Sequence, residues 1–161
     1  MTQQVSFRPI CDADRETLLR IYSSSRTAEL ASFPWSEEQK TAFLQMQFQA
    51  QHLHYQDEFA GARFQLILLD GQIAGRLYVH CSEHEMRLVD NTLLPEYRGA
   101  GIGSAILRDL LAEALAIGKP LMLQVRFDNP AQRLYQRMGF QLIDEEFPYH
   151  QMMWTAPSGA N

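Results

Sequence analysis

The sequence is poor in the features that mark stapled, metal-bound or membrane-embedded proteins. It has two cysteines, Cys11 and Cys81, which lie far apart and match no metal or redox spacing. A reduced compartment is therefore a simpler expectation than a disulfide. No apolar run is long: the longest, around Phe64 to Leu69, is interrupted by Gln65 and falls far short of the roughly 20 residues that cross a bilayer. The opening MTQQVSFRPI lacks the charged start and continuous apolar stretch of a signal peptide. Positive charge is also scarce. Fourteen Lys plus Arg against 19 Asp plus Glu leave a formal net of -5, and no segment builds the basic face that a nucleic-acid backbone selects. The expectation is a cytoplasmic chain with neither nucleic acid nor membrane as partner.

What is present suits one globular domain. The chain has 161 residues, 46% hydrophobic and 20% charged, enough to bury about two-thirds of its unfolded surface without a staple. Residues 1–156 read as that domain and 157–161 as a frayed tail. Val5 to Ile10 reads as an edge strand that tolerates Pro9. Cys11 to Ser25 reads as a helix with an apolar stripe of Leu18, Leu19, Tyr22 and Ile21. Ser36 followed by Glu37 and Glu38 caps a second helix expected to reach about Gln51. Arg63 to Leu69 and Gln72 to His80 flank an Asp70-Gly71 turn, the pattern of a hairpin, and Glu85 to Leu93 follows as a third strand.

Beyond Leu93 the order changes to a glycine-rich loop and a helix from Ser104 to Ile117, stopped by Gly118 and Pro120. Leu121 to Phe127 is a strand with Leu121, Leu123, Val125 and Phe127 on one face. Asn129 as N-cap and Pro130 as first helical residue open a short helix that Gly139 closes. Phe140 to Ile143 and Tyr149 to Thr155 form a last antiparallel pair. A strand, loop, helix and strand in sequence imply a locally parallel pair, and the hairpins around it make the rest antiparallel. The fold class is α/β (α+β), a central mixed and mostly antiparallel sheet with helices on both faces.

The most informative stretch is Leu94-Pro95-Glu96-Tyr97-Arg98-Gly99-Ala100-Gly101-Ile102-Gly103-Ser104. It leaves a strand and opens a helix. Glycines there let the backbone turn tightly with several N–H groups aligned, and the positive end of the helix dipole lies behind them. That combination suits a phosphate or pyrophosphate, with Arg98 adding fixed positive charge at the rim. The dinucleotide fingerprint fails because its third glycine would fall on Ser104, and no Gly-Lys-Ser/Thr follows as a Walker loop requires. What survives is R-x-x-G-x-G: Arg98, Gly101 and Gly103.

With this motif, and with Asn129-Pro130-Ala131, Leu134-Tyr135 and Met138-Gly139-Phe140 one helix and one strand later, the sequence resembles the GCN5-related N-acetyltransferase (GNAT) family. The resemblance covers roughly residues 5–155 and implies the acyl-CoA N-acyltransferase fold with acetyl-CoA as cosubstrate and no metal. It implies that backbone N–H groups of Arg98, Gly99, Ala100, Gly101, Ile102, Gly103 and Ser104 hold the pyrophosphate. It also implies that a splayed strand near Leu93 and Leu94 pairs with the pantetheine arm, and that the Leu93 N–H polarises the thioester carbonyl. Tyr135 stands where the family often places the acid that protonates the CoA thiolate; its alternative is packing in the stripe Ala131, Leu134, Tyr135, Met138. Asn129 is first a helix cap and second a cofactor contact.

The family does not fix a general base. Met86, Leu88 and Asp90 share a strand face, so Asp90 sits beside apolar neighbours that would raise its pKa towards a useful range. Glu83, His84 and Glu85 acting through a water are the alternative. The acceptor amine is expected between the first two helices and the last hairpin, where Tyr22, Arg26, Glu29, Phe33, Trp35, Tyr149 and Trp154 lie. Aromatic and acidic groups there would attract a cation, although packing explains any one of them equally well. Transfer to a primary amine of a small molecule, amino acid or peptide by direct attack in a ternary complex is the leading reading. A non-catalytic acyl-CoA-binding or sensor module is the alternative. His80-Cys81-Ser82-Glu83-His84 also matches H-x-x-E-H, a zinc-hydrolase signature, but it ends a strand where that signature needs a helix. A homodimer is compatible with this fold.

Overall fold

A computed structural model describes residues 3–157. The chain runs β1 (Val5–Pro9), a 3-10 turn at Asp12–Asp14, α1 (Arg15–Ser24), α2 (Thr27–Leu30), α3 (Glu37–Glu58), β2 (Arg63–Leu69), β3 (Gln72–Cys81) and β4 (Met86–Leu93). A 3-10 turn at Pro95–Tyr97 leads to α4 (Ile102–Ile117), β5 (Leu121–Arg126), α5 (Ala131–Arg137), β6 (Gln141–Glu146) and β7 (Tyr149–Trp154). The strands form one mixed sheet in the order β1-β2-β3-β4-β5-β7-β6. The expected parallel pair is β4 with β5, Met86 opposite Leu121 and Leu88 opposite Leu123. The pairs β1–β2, β5–β7 and β6–β7 are antiparallel. Among the described residues no helix is long and apolar enough to cross a membrane.

Two compact units divide the chain. One runs to Tyr78 and resumes over Asp90–Gly103; the other comprises Val79–Val89 and continues from Ser104. In the first, Leu18, Ile21 and Tyr22 of α1 are buried, and the Tyr22 ring meets Phe48 of α3 at 5.9 Å. The helix expected from Cys11 begins instead as a 3-10 turn, because the Asp14 carboxylate turns back to accept the Cys11 N–H at 2.8 Å. The same carboxylate takes two hydrogen bonds from Arg8, each 3.0 Å. Those bonds from the guanidinium hold Asp14 down to about 2 against the opposing effect of burial.

Ser36 caps α3 as expected. Its hydroxyl accepts the Gln39 N–H at 3.1 Å while the Gln39 side chain takes the Ser36 N–H at 2.9 Å. The helix then runs seven residues past Gln51, since no glycine or proline intervenes before Gly61 and Tyr55 packs edge-on to Tyr78 at 6.1 Å. The short α2, with Leu30 buried, was not expected from the sequence.

In the second unit Leu121, Leu123 and Val125 are buried. Phe127, expected on the same face, is 43% exposed; the strand ends at Arg126 and the ring stacks on exposed Phe147 at 5.1 Å. In α4 the residues Ile106, Leu107, Leu110 and Ala114 are buried and Leu115 is exposed. The helix starts two residues earlier than expected, at Ile102.

Candidate active site

The end of β4 and the loop after it are shaped by two glycine features of different kinds. Within the loop, Gly99 and Gly101 have φ of +81° and +84°, and a Cβ at either would meet nothing within 4 Å. Conformation alone therefore demands glycine there. Gly99, Ala100 and Gly101 are exposed, so their backbone is open to a ligand, and the first N–H groups of α4, from Ile102, lack partners inside the helix. Gly75 is the other kind: a Cβ on it would lie 2.1 Å from the Thr92 carbonyl oxygen and 3.0 Å from Leu93 Cα. Only glycine lets the end of β4 settle that closely on β3.

Several bonds then fix the neighbourhood of Leu93. The Leu94 N–H donates to Ala74 O at 2.8 Å, and Leu94 is buried. Arg98 Nε donates to the Leu93 carbonyl at 2.9 Å, and its Nη2 reaches Ser24 Oγ of α1 at 3.5 Å. The expected rim charge is thus tied down rather than waving in solvent. Gly103 and Ser104 lie in the first turn of α4, and a Cβ on Gly103 would stand 3.8 Å from the Leu93 side chain.

Asp90 does not have the apolar surroundings expected of it. Its Oδ2 accepts from Arg76 Nη2 at 2.7 Å and its Oδ1 from the Thr92 hydroxyl at 2.5 Å. Arg76 is only 2% exposed, and the same Nη2 also donates to Gln51 Oε1 of α3 at 2.9 Å. Burial opposes the Arg76 charge, but Asp90, with Tyr78 and Tyr55 adding to it, overrides that penalty, and the guanidinium holds its proton more tightly than usual. Its carbon lies 5.1 Å from the centroid of the Tyr78 ring. Burial pushes the Tyr78 hydroxyl up. Arg76 Nε, the Tyr78 hydroxyl and Asn91 Oδ1 are buried without a hydrogen-bond partner among the described residues. Arg76 and Gln51 were missed from the sequence, although an arginine in the middle of the apolar run Ile73–Val79 was itself a signal.

Five expected acceptor-side residues come together with one that was overlooked. Arg26 Nη1 donates to the buried Tyr22 hydroxyl, and its Nε pairs with Glu29. The guanidinium lies 5.6 Å from the Tyr22 ring centroid and 5.9 Å from that of Phe43, the overlooked residue. Trp35, 37% exposed, stands edge-on to Phe33 at 5.0 Å and to Phe43 at 5.2 Å. The result is an aromatic cluster holding one paired cation.

The remaining candidates belong to the second unit. Tyr135 lies on α5, half-buried, with its ring edge-on to Phe140 at 5.6 Å. Asn129 Oδ1 accepts the Ala131 N–H at 2.9 Å, which gives it the capping role; Pro130 takes the N-cap position and the helix begins one residue later than expected. Tyr149 is 40% exposed at the start of β7, opposite Arg126. Trp154 is only 8% exposed and packs 3.1 Å from where a Cβ on Gly139 would sit, so it serves the core rather than an acceptor rim.

The H-x-x-E-H stretch ends β3 and turns into β4, as its strand context implied. Glu83 and His84 are exposed, and Glu85 pairs with Arg87 at 3.1 Å. Among the described residues no three His, Cys, Asp or Glu side chains converge on a metal-sized site. Cys11 and Cys81 are free and exposed.

Residues 18–140 match the model of the acetyltransferase (GNAT) family. A Haemophilus influenzae [ribosomal protein bS18]-alanine N-acetyltransferase is 31% identical over 94 residues, which is 58% of this chain and 62% of that protein. The chain thus matches less than two-thirds of that relative's length. Among solved structures, PaiA N-acetyltransferase from Thermoplasma acidophilum, in complex with coenzyme A, superposes with a TM-score of 0.71 at 19% identity, covering 95% of this chain and 99% of that one. The ribosomal-protein-S18-alanine N-acetyltransferase of Escherichia coli superposes at 0.64 with 20% identity, covering 98% of each chain. At these identities the two structures share the fold.

Proposed function

The chain belongs to the acetyltransferase (GNAT) family, and from that premise we propose that it transfers the acetyl group of acetyl-CoA to a primary amine, by direct attack within a ternary complex. The observation that carries the proposal is the loop from Arg98 to Gly103. Gly99 and Gly101 adopt left-handed backbone in open space, the loop's N–H groups lead into α4, and its arginine is anchored at Leu93. Such a cradle fits a pyrophosphate.

Acetyl-CoA supplies an activated acyl group as a thioester. The chain's share of the chemistry follows from what acyl transfer needs. Backbone N–H groups from Arg98 to Ser104 bind the pyrophosphate, with Asn129 a further contact. Leu93 and Leu94 offer backbone to the pantetheine arm, and the Leu93 N–H stabilises negative charge as it develops on the carbonyl oxygen. The amine nitrogen forms a bond to the acyl carbon, the carbon–sulfur bond breaks, and Tyr135 gives its proton to the departing sulfur. Asp90, the first candidate to accept the amine's proton, already takes bonds from Arg76 and Thr92 and would have to exchange one of them. The cluster of Tyr22, Arg26, Trp35 and Phe43 supplies acceptor contacts. The Haemophilus influenzae relative is named for acetylating an alanine of a ribosomal protein, which puts peptide α-amines first among acceptors to try.

Calorimetric titration with acetyl-CoA, desulfo-CoA and adenosine diphosphate tests the cofactor. Binding near one per chain at roughly micromolar affinity, about -8 kcal/mol, is expected. An absence of both heat and thermal shift would overturn the proposal. Thiol release with a panel of peptide and small amines then tests transfer, and Tyr135→Phe should lower turnover far more than acetyl-CoA affinity.

A further inference from the structure

Arg76 is an expensive residue at its position. It is 2% exposed on a strand whose neighbours Ala74, Leu77, Tyr78 and Val79 are buried and apolar or aromatic. A buried ion pair seldom stabilises a fold more than apolar side chains of the same volume. Asp90 keeps the guanidinium charged, but the fork is incompletely used: one nitrogen, Nη2, makes both bonds while the buried Nε finds no hydrogen-bond partner among the described residues. The pair's value must therefore lie in what it holds.

What it holds is the last stretch of β4. Nη2 ties Gln51 of α3 to Asp90, and the other oxygen of Asp90 takes the Thr92 hydroxyl. The Thr92 carbonyl is pressed over Gly75. Beyond it, Leu94 is bonded to Ala74 and the Leu93 carbonyl to Arg98. The Leu93 peptide is thus gripped on both sides, and Arg76 anchors the upstream grip.

We propose that Arg76 is a positioning residue for acetyl transfer, clamping Asp90 and Thr92 so that the Leu93 N–H is aimed at the reacting carbonyl. The proposal rests on the acetyltransferase reading, since that reading gives the Leu93 N–H its task. Aim matters steeply there: a 1 Å misplacement costs on the order of 100-fold in rate.

The decisive variant is Arg76→Met with Asp90→Leu, which removes both charges and leaves neither buried alone. Acetyl-CoA affinity should stay within about threefold of wild type, while kcat for the amine panel falls about 100-fold. Amide hydrogen exchange should quicken at Leu94, whose N–H donates to Ala74 O, and remain unchanged in β5 and β7. Arg76→Lys, which keeps a donor for Asp90, should recover most of the lost kcat. Wild-type kcat in the double variant would overturn the proposal. So would a lower kcat with unchanged exchange at Leu94, the result expected if Asp90 served only as proton acceptor. Faster exchange across the whole sheet, marking a merely structural pair, would overturn it too. Should the double variant not fold, Asp90→Asn takes its place under the same criteria. Failure of wild-type protein to bind acetyl-CoA would defeat the function while leaving exchange at Leu94 to decide whether Arg76 clamps the strand.

Discussion

Replacing Gly75 by alanine should damage the protein out of proportion to the methyl group added. The new Cβ would lie 2.1 Å from the Thr92 oxygen and 3.0 Å from both Thr92 C and Leu93 Cα, where ordinary contact begins near 3.4 Å. Each of these atoms is backbone, so no side chain can swing aside. One strand must retreat by roughly 1.3 Å, well up the repulsive wall of the contact potential. Overpacking of this kind costs typically 1–3 kcal/mol, and with no soft neighbour the upper figure, about 3 kcal/mol, applies. For a chain of this size that lowers the melting temperature by about 6–12 °C. Turnover should fall by on the order of 100-fold, because the displaced residues include Leu93. Acetyl-CoA affinity, which depends on the separate glycine loop, should change less. Thermal melting by circular dichroism and thiol-release kinetics on the same preparation read both effects. A variant that melts within a degree of wild type at full turnover would refute the reasoning, for it would mean that β3 and β4 do not approach so closely.

Three further outcomes are expected. Gly101→Ala has open space for its methyl, but a φ of +84° costs alanine about 1–2 kcal/mol; the loop should relax to relieve that strain, turning its N–H groups away, and calorimetry should show at least a tenfold loss of acetyl-CoA affinity (about 1.4 kcal/mol). Ser36→Ala removes the α3 cap and should lower the melting temperature by about 2–4 °C, for a loss of about 1 kcal/mol, with acetyl-CoA binding unchanged. Asp14, held to about 2 from an ordinary 3.8, adds stability that is complete above pH 3.8 and disappears as pH falls towards 2. Melting curves of wild type and Asp14→Asn should therefore differ most above pH 4 and converge near pH 2.

Local signals made much of this architecture legible. Asp70-Gly71 between two apolar runs announces the β2–β3 hairpin, and Ser36 followed by Glu37 and Glu38 announces the start of α3. The end of α3 could not be read, because the segment Gln51–Glu58 carries no breaker and is held by Tyr55 against Tyr78, a contact made across the fold. The same holds within the site. The glycine loop is contiguous and can be recognised in one stretch. Arg76, Asp90 and Gln51 meet from 14 and 25 residues apart, and no periodicity pairs an arginine with a carboxylate two strands' length away. Phe127 was placed by an alternation that stops where β5 does, at Arg126, and for Trp154 packing and acceptor contact stood level until its burial opposite Leu121 decided for the core.

The strand β6 closes one side of the sheet with all six residues exposed, and Leu142 and Ile143 are followed there by Asp144, Glu145 and Glu146. An edge with unpaired backbone and apolar side chains is a template on which another chain can grow. Three successive carboxylates make it a hostile one: a second β6 laid alongside would bring like charges into opposition, and the register shift between Leu142 and Asp144 would disturb the ladder as well. The acidic run therefore works as a terminator. It ends the hydrogen-bonded series at seven strands and keeps the sheet a finite object.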